Sequence, residues 1–168
     1  MSCMAQTLQG IDKEKVGKAI GRISGGLYIV NTMSGDTQAG FLASWVQQAG
    51  FEPPMISVAI GKNRDHYKFI KENKKFTVNI MGKENNKTMG AFFKPPEEGK
   101  CVYDNLETFT DKSGVQILKD SVAYLECEYR AEVDSGDHHI IIAEIIGGDL
   151  HNPDIEPSTH LRADGFKY

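Results

Sequence analysis

The sequence predicts a mainly β protein built on an antiparallel sheet or a closed barrel. Many short segments are rich in β-branched and aromatic residues and are separated by turn-forming residues. Helical periodicity is confined to a few short stretches, and strands do not alternate with long helices as they do in parallel α/β folds. The length of 168 residues is typical of one domain, so we expect residues 1–168 to form a single domain.

The first half of the chain predicts two helices and four strands. Between Ile11 and Ile23, apolar residues recur at spacings of three and four among charged ones, which indicates an amphipathic helix. A second short helix is expected over 65–72. Strands are expected at 27–32, 40–46, 55–60 and 76–81, because these runs are apolar or β-branched and end at glycine, proline or other turn-forming residues.

The second half predicts one more short helix and a β-hairpin. Met89, Phe92 and Phe93 suit a helix that ends before Pro95. The polar segment 97–114 is expected to be mostly loop. Strands are then expected at 122–129 and 139–146, joined by a hairpin turn at Asp134-Ser135-Gly136-Asp137.

Composition and charge exclude several classes of protein. A net charge of −4 disfavours a broad contact with nucleic acid. No apolar run reaches the roughly 20 residues that cross a bilayer, and the N-terminus does not resemble a secretory signal, so we expect no membrane partner and a cytoplasmic location. The three cysteines, Cys3, Cys101 and Cys127, are widely spaced and are expected to be reduced.

Several catalytic and nucleotide-binding motifs are absent. The chain has neither a Gly-x-Gly-x-x-Gly nor a P-loop motif, which argues against a Rossmann site and a P-loop site. It also has no Gly-x-Ser-x-Gly motif, and its His, Cys, Asp and Glu residues do not show a familiar metal-binding spacing. We therefore expect no metal site, and hydrolase function is disfavoured.

The segment 35–48 is the first candidate binding surface. Gly40, Ala43 and Ser44 are small and leave backbone groups accessible to a planar polar ligand, and Trp45 offers an aromatic surface beside them. The planar ring of a flavin could bind against a surface of this kind. The alternative is that Gly40 marks a β-bulge and that Trp45 belongs to the core.

Two further segments carry groups that suit anion binding or catalysis. Lys62, Asn63 and Arg64 follow an apolar strand and precede an expected helix, an arrangement that can hold a phosphate. His138 begins the last long strand, where a histidine can titrate near neutral pH and contact a nicotinamide amide or a flavin carbonyl. The alternatives are a solvated basic turn and a surface histidine.

These segments resemble the flavin reductase-like, FMN-binding split-barrel family. The clearest match is Gly40-Phe41-Leu42-Ala43-Ser44-Trp45-Val46 followed by Phe51-Glu52-Pro53-Pro54. The likeness is greatest to the flavin reductase domain at the C-terminal end of cyanobacterial diflavin flavoproteins, and flavoredoxins are also similar. Further matches are Gly26-Leu27-Tyr28-Ile29-Val30, Phe76-Thr77-Val78-Asn79-Ile80, Ala123-Tyr124-Leu125-Glu126-Cys127, Gly136-Asp137-His138, and His160-Leu161-Arg162 with Gly165 and Tyr168.

The resemblance implies a six-stranded antiparallel split barrel of Greek-key type with a few flanking helices. It further implies a homodimer with one FMN per subunit near the subunit interface, FAD being an alternative cofactor. The residues expected to contact the flavin are Asn31, Thr32, Leu42, Ala43, Ser44, Trp45, Gln47, Gln48, Lys62, Asn63 and Arg64, the last three at its phosphate. His138 is expected near the nicotinamide. Many relatives have a threonine and paired serines where this chain has Leu42, Ser44 and Trp45, so backbone contacts are expected to contribute more here.

The function that the resemblance implies is an NAD(P)H-dependent flavin oxidoreductase. In this hypothesis NAD(P)H gives a hydride to bound FMN, and electrons pass on to free flavin, an iron chelate or a protein acceptor. One alternative is a flavoredoxin-type electron carrier that exchanges electrons with a rubredoxin- or ferredoxin-like partner and does not use NAD(P)H. A second alternative is a flavin- or haem-binding protein without turnover.

Overall fold

The computed structural model describes residues 10–167, so Cys3 and Tyr168, which the sequence analysis names, lie outside the described residues. Strands account for 44% of the residues and helices for 13%, which confirms the mainly β class. All neighbouring strands whose pairing is described run antiparallel. Within residues 10–167, no helix has the length and apolar character needed to cross a membrane.

The described residues divide into two compact units. The smaller comprises 10–25 and 159–167. Its helix α1 (Lys13–Ile20) begins where the Asp12 carboxylate accepts a hydrogen bond of 3.1 Å from the Lys15 N–H, a typical N-cap. Strands β1 (Gly25–Gly26) and β11 (Thr159–His160) form a two-stranded sheet. Helix α1 confirms the helix expected between Ile11 and Ile23.

The larger unit, 26–158, contains the main sheet. Its seven strands are β2 (Tyr28–Ser34), β3 (Thr37–Ala43), β4 (Val46–Phe51), β5 (Pro54–Gly61), β6 (Lys75–Ile80), β9 (Ala123–Asp134) and β10 (His138–Asp149). They lie in the order β3-β2-β6-β9-β10-β5-β4. Strands β7 (Thr108–Thr110) and β8 (Gln116–Leu118) form a separate pair inside the region expected to be mostly loop.

The main sheet has seven strands, whereas the resemblance implies six. The expected strand at 40–46 is interrupted at Ser44 and Trp45, which separate β3 from β4. Before the interruption Ala43 is opposite Tyr28 of β2, and after it Val46 is opposite Val58 of β5. The chain therefore changes its pairing partner at this point. As a result, the two strands at opposite ends of the sheet order are consecutive in the sequence.

Two further helices lie in the larger unit. Helix α2 (His66–Asn73) follows β5, close to the predicted position, and helix α3 (Asn86–Gly90) follows β6. Helix α3 contains Met89 as expected but ends at Gly90, so Phe92 and Phe93 lie after it and not within it. Helix α2 ends at Lys74, a non-glycine residue in the left-handed region with φ of 62°. The segment 91–107, after α3, contains no helix or strand and forms one wall of the cleft described below.

The core consists of two clusters of buried side chains. Alternate residues of β5, namely Ile56, Val58 and Ile60, point into the larger cluster, as expected for a strand with one buried face. Strand β2 contributes Val30 to this cluster and Ile29 to the second one. Because β2 is covered on both faces, its four residues 29–32 are all buried.

Candidate functional site

The basic turn after β5 and the start of β10 are adjacent. Gly61 is the register partner of His138, and the Lys62 N–H donates a hydrogen bond of 2.9 Å to the Asp137 carbonyl. The turn that was expected to bind phosphate and the histidine that was expected near the nicotinamide therefore lie side by side. Antiparallel pairing of β5 with β10 is what brings these distant parts of the sequence together.

Trp45 lies against His138. Their ring centroids are 4.8 Å apart with an interplanar angle of 47°, and Trp45 is 38% exposed, so it is not an ordinary core residue. The Trp45 carbonyl accepts a hydrogen bond of 3.0 Å from the Ala59 N–H, which fixes the β3–β4 junction to β5. Trp45 thus presents part of its indole ring to solvent next to the histidine.

Asp137 holds the His138 ring. The distance from His138 Nδ1 to Asp137 Oδ1 is 2.7 Å, and because an ionised carboxylate only accepts, Nδ1 is the protonated nitrogen. This hydrogen bond lowers the pKa of Asp137, so the carboxylate stays ionised near neutral pH. Carboxylate and imidazole therefore form a pair that fixes the histidine tautomer.

The two cations of the basic turn have different surroundings. Lys62 forms an ion pair with Asp134, and this contact lowers the pKa of the carboxyl. Arg64 forms no ion pair within residues 10–167, and its guanidinium lies 5.7 Å from the centre of the Phe41 ring. Arg64 is therefore the cation of this turn that is available for an anionic ligand.

Arg64 lines a cleft of about 730 Å³. Strand β3 and the turn before it form one wall, and residues 92–96 and 99–102 form the other. The charged residues of the cleft are Asp36, Arg64, Lys94 and Lys100, and its aromatic residues are Phe41, Phe92, Phe93 and His66. The volume is in the range of small-molecule and cofactor sites, and the excess of positive charge together with aromatic walls suits an anionic aromatic ligand.

Two acceptor atoms in the lining of this cleft are buried without a hydrogen-bond partner among residues 10–167. They are Gln38 Oε1 and His66 Nδ1. The amide nitrogen of Gln38 is used, since it donates a bond of 2.8 Å to the Gly114 carbonyl. Buried acceptors normally have donors, so Gln38 Oε1 indicates a ligand that carries hydroxyl or other donor groups, and His66 Nδ1 requires either a donor or a proton.

Gly40 allows the floor of the cleft to pack closely. A Cβ atom at this position would lie 2.5 Å from Asn31 Oδ1, 2.5 Å from the Tyr103 hydroxyl and 2.8 Å from the Phe92 ring. Only glycine therefore permits the 2.7 Å hydrogen bond that Tyr103 donates to Asn31. The Gly40 carbonyl, which was expected to be accessible to a ligand, is occupied by His66 Nε2 at 3.1 Å.

The other residues expected to contact a flavin differ in accessibility. Asn31 and Thr32 are fully buried, and the Asn31 side chain bonds with Tyr103 and with the Gln116 carbonyl. A side-chain contact from either residue to a ligand would require a rearrangement. Ala43 is buried in the larger core cluster, and Leu42 packs against the second cluster.

Ser44 and the β4 residues are closer to solvent. Ser44 is half-buried at the junction, while Gln47 and Gln48 are exposed on β4. Asn63 is exposed in the basic turn. The structure therefore brings Trp45, the basic turn and His138 together, and it leaves Gln47 and Gln48 on an accessible strand beside them. Gln38 lies within the predicted segment 35–48, and His66 ends the predicted segment Gly61-Lys62-Asn63-Arg64-Asp65-His66, but neither residue was predicted individually to contact a ligand. The 91–107 segment was not predicted to form part of the site.

The comparisons with known proteins agree with this architecture. The chain matches the flavin reductase like domain over residues 20–166. It is 35% identical over 162 residues to diflavin flavoprotein A 1 of Synechocystis sp., a match that covers 96% of this chain and 28% of that protein. The chain thus spans less than a third of the length of this relative.

Solved structures show the same fold. The NADH:FAD oxidoreductase SgcE6 of Streptomyces globisporus superposes with a TM-score of 0.81 at 22% identity, covering 90% of each chain. A structure of the same protein in complex with NAD and FAD fragments superposes with a TM-score of 0.78 at 21% identity and covers 89% of this chain and 88% of that one. On the match over residues 20–166, this chain belongs to the flavin reductase-like family of flavin-binding oxidoreductases.

Proposed function

We propose that this chain is an NAD(P)H:flavin oxidoreductase that uses FMN, with FAD as the alternative cofactor. The observation that carries the proposal is the cleft in which Arg64, free of ion pairs within residues 10–167, lies beside aromatic side chains and two buried acceptors without donors. A phosphorylated flavin has the matching features: an anionic phosphate, a ribityl chain with hydroxyl donors and a planar aromatic ring. The residues present therefore fit the cofactor.

In this proposal Arg64 binds the phosphate, and Lys62 and Asn63 border it. Arg64 can bind a phosphate through two parallel hydrogen bonds, which orients the ligand as well as holding it. The ring then lies toward the β3–β4 junction, where Leu42, Ala43 and Ser44 offer backbone groups and Trp45 an aromatic surface. Asn31, Thr32, Gln47 and Gln48 complete the proposed contact set.

When bound, FMN supplies the ability to accept a hydride from NAD(P)H and to pass electrons on to free flavin, an iron chelate or a protein acceptor. His138, held by Asp137 against Trp45, is proposed to hydrogen-bond the carboxamide of the nicotinamide. The ionised Asp137 would keep the imidazole in one tautomer and orientation through each turnover. The complex of the similar SgcE6 protein with NAD and FAD fragments supports placing both nucleotides on this fold.

We also propose that the sheet is a closed split barrel and that the protein is a homodimer. Strands β3 and β4 occupy the two ends of the sheet order and are joined by only Ser44 and Trp45, so the chain itself connects the two edges. If β3 and β4 are regarded as one bent strand, the main sheet has the six strands that the family resemblance implies.

The experiment that tests the function is a visible spectrum of the purified protein, followed anaerobically after addition of NADH and then NADPH. We expect a flavin spectrum that bleaches rapidly with one of the two nucleotides, which also identifies the donor. A flavin spectrum that stays oxidised with both, but bleaches under photoreduction, would contradict the proposal and indicate an electron carrier that depends on a rubredoxin- or ferredoxin-like partner.

A further inference from the structure

His66, the first residue of α2, has one satisfied and one unsatisfied ring nitrogen. Nε2 lies 3.1 Å from the Gly40 carbonyl oxygen, and since a carbonyl only accepts, Nε2 carries the hydrogen. In a neutral ring Nδ1 is then an acceptor. This atom is buried and has no hydrogen-bond partner among residues 10–167, although the residue lines the cleft. A buried acceptor without a donor is unfavourable, so a ligand or a proton is needed to satisfy it.

The ring of His66 is held in a fixed orientation next to Arg64. The Phe41 ring contacts His66 with centroids 4.9 Å apart, and the Arg64 guanidinium lies over the same Phe41 ring. The histidine and the arginine thus share one aromatic support and line the same cleft. An anion bound by Arg64 would therefore lie near His66.

Burial lowers the pKa of His66 and so favours the neutral ring in the absence of an anion. Burial is the main cause that lowers the pKa of His66, and Arg64 acts in the same direction, whereas the Gly40 carbonyl and Asp65 act against them. The other charged or titratable groups of the cleft are Asp36, Lys94, Lys100 and Cys101. Of the two lysines in this remainder, Lys100 is already paired with Glu97, so Arg64 and Asp65 are the charged groups that act on His66.

A phosphate monoester would reverse this balance. Its two negative charges favour the imidazolium, in which both ring nitrogens are donors: Nε2–H to the Gly40 carbonyl and Nδ1–H to a phosphate oxygen. We propose that His66 binds the flavin phosphate together with Arg64 and takes up one proton when the phosphate binds. This inference rests on the proposed function and adds a residue by which the chain distinguishes a phosphorylated flavin from riboflavin.

The proton balance makes the proposal measurable. A phosphate dianion and a neutral His66 combine with one proton from solution, and that proton is shared between the phosphate oxygen and Nδ1 in the complex. Affinity for FMN must then fall as the pH rises above neutrality, because the proton becomes scarcer.

The test is calorimetric titration of flavin-free protein with FMN at about pH 8, in two buffers of different ionisation enthalpy, so that the difference in heat reports proton uptake. We expect about one proton per FMN for the unaltered chain. His66→Gln is the matched variant, because its amide nitrogen can still donate to the Gly40 carbonyl but the side chain cannot be protonated. We expect this variant to bind FMN without proton uptake and with an affinity that no longer depends on pH between neutrality and about pH 8.

Two controls exclude other groups that could accept the proton. Riboflavin, which lacks the phosphate, should bind without proton uptake, and Cys101→Ser should retain the uptake because Cys101 is not the group that accepts the proton. Equal uptake by His66→Gln, or equal uptake with riboflavin, would overturn the assignment to His66. If FMN binds to the unaltered chain and no proton is taken up, this inference fails while the proposed function stands. If neither FMN nor FAD binds, both fail.

Discussion

Tyr67 and His139 stack face to face, with ring centroids 4.0 Å apart and ring planes within 5° of parallel. Tyr67 follows His66 on α2, and His139 follows His138 on β10. The stack therefore connects helix α2, which lines the cleft through His66, to strand β10, which carries His138, the proposed nicotinamide contact. Glu132 supports it, since the Tyr67 hydroxyl lies 2.9 Å from both carboxylate oxygens and donates its one hydrogen between them, and Lys71 also donates to this carboxylate.

From this contact we predict that Tyr67→Phe and Tyr67→Ala differ in their effects. The phenylalanine keeps the stacked ring and loses only the bond to Glu132, so the free energy of unfolding should fall by about 1 kcal/mol. The alanine loses the ring as well and should cost roughly 2 to 3 kcal/mol. Urea unfolding measures both. If the two variants are equally stable, the stack contributes nothing to fixing α2 against β10.

The different surroundings of the two cations predict different effects on FMN binding. Arg64→Ala should weaken binding by about tenfold to a hundredfold, because a charge-assisted phosphate contact is lost while the fold is kept. Lys62→Ala is the matched control: Lys62 is already paired with Asp134, so its loss should change the dissociation constant less. Quenching of flavin fluorescence gives both constants. An unchanged affinity in Arg64→Ala would remove this residue from the phosphate site.

His138→Ala should affect the nicotinamide nucleotide more than the flavin. If the histidine contacts the carboxamide, the KM for NAD(P)H should rise more than the dissociation constant for FMN. Asp137→Asn keeps a hydrogen-bonding partner for Nδ1 but loses the negative charge, so we expect a smaller change in the same direction. Steady-state kinetics and flavin titration distinguish the two constants. The opposite pattern would place His138 at the flavin or assign it to structure.

Much of the fold could be predicted from periodicity, because the strands that form the core alternate or are continuously apolar. Strand β10 and the buried run of β5 were recognisable for this reason. The interruption at Ser44 and Trp45 could not be recognised, because a change of strand-pairing partner does not alter the local pattern of hydrophobic residues. Strands β7 and β8 also escaped prediction, because three residues are too few to show a period.

The candidate site was predictable only in part. Trp45, the basic turn and His138 stand out as residue types, and antiparallel pairing places them together. The roles of Gln38 and His66 depend on which of their atoms are left without partners, a property of the folded chain that no residue spacing encodes. Likewise, the donor that occupies Asn31 Oδ1 is the hydroxyl of Tyr103, which is 72 positions away in sequence.

Close packing around Gly40 predicts a specific defect in Gly40→Ala. The new methyl group would displace the Asn31 amide or the Tyr103 hydroxyl, both of which are buried, so we expect a loss of about 1 to 3 kcal/mol in the free energy of unfolding. Ala39→Gly, at the neighbouring position on the same strand, is a control that adds no atoms. Urea unfolding of both variants makes the comparison. Full stability of Gly40→Ala would show that the floor of the cleft adapts readily.

The lowered pKa of His66 also predicts how stability depends on pH. Below about pH 6.5 the unfolded chain protonates this histidine while the folded chain resists protonation, so the unfolded state binds more protons and the free energy of unfolding decreases as the pH falls. Above that pH the histidine is neutral in both states and contributes no slope.

The carboxyl groups with lowered pKa values, such as Asp134 and Asp137, also contribute to the free energy of unfolding. They lose this contribution only in solution more acidic than the range over which His66 titrates. Between about pH 5 and 7, flavin-free His66→Gln should therefore lose less stability on acidification than the unaltered chain. Urea unfolding across this range measures the two slopes. Identical slopes would mean that His66 protonates as readily in the folded protein as in the unfolded chain. That result would contradict the burial of Nδ1 without a hydrogen-bond partner among residues 10–167.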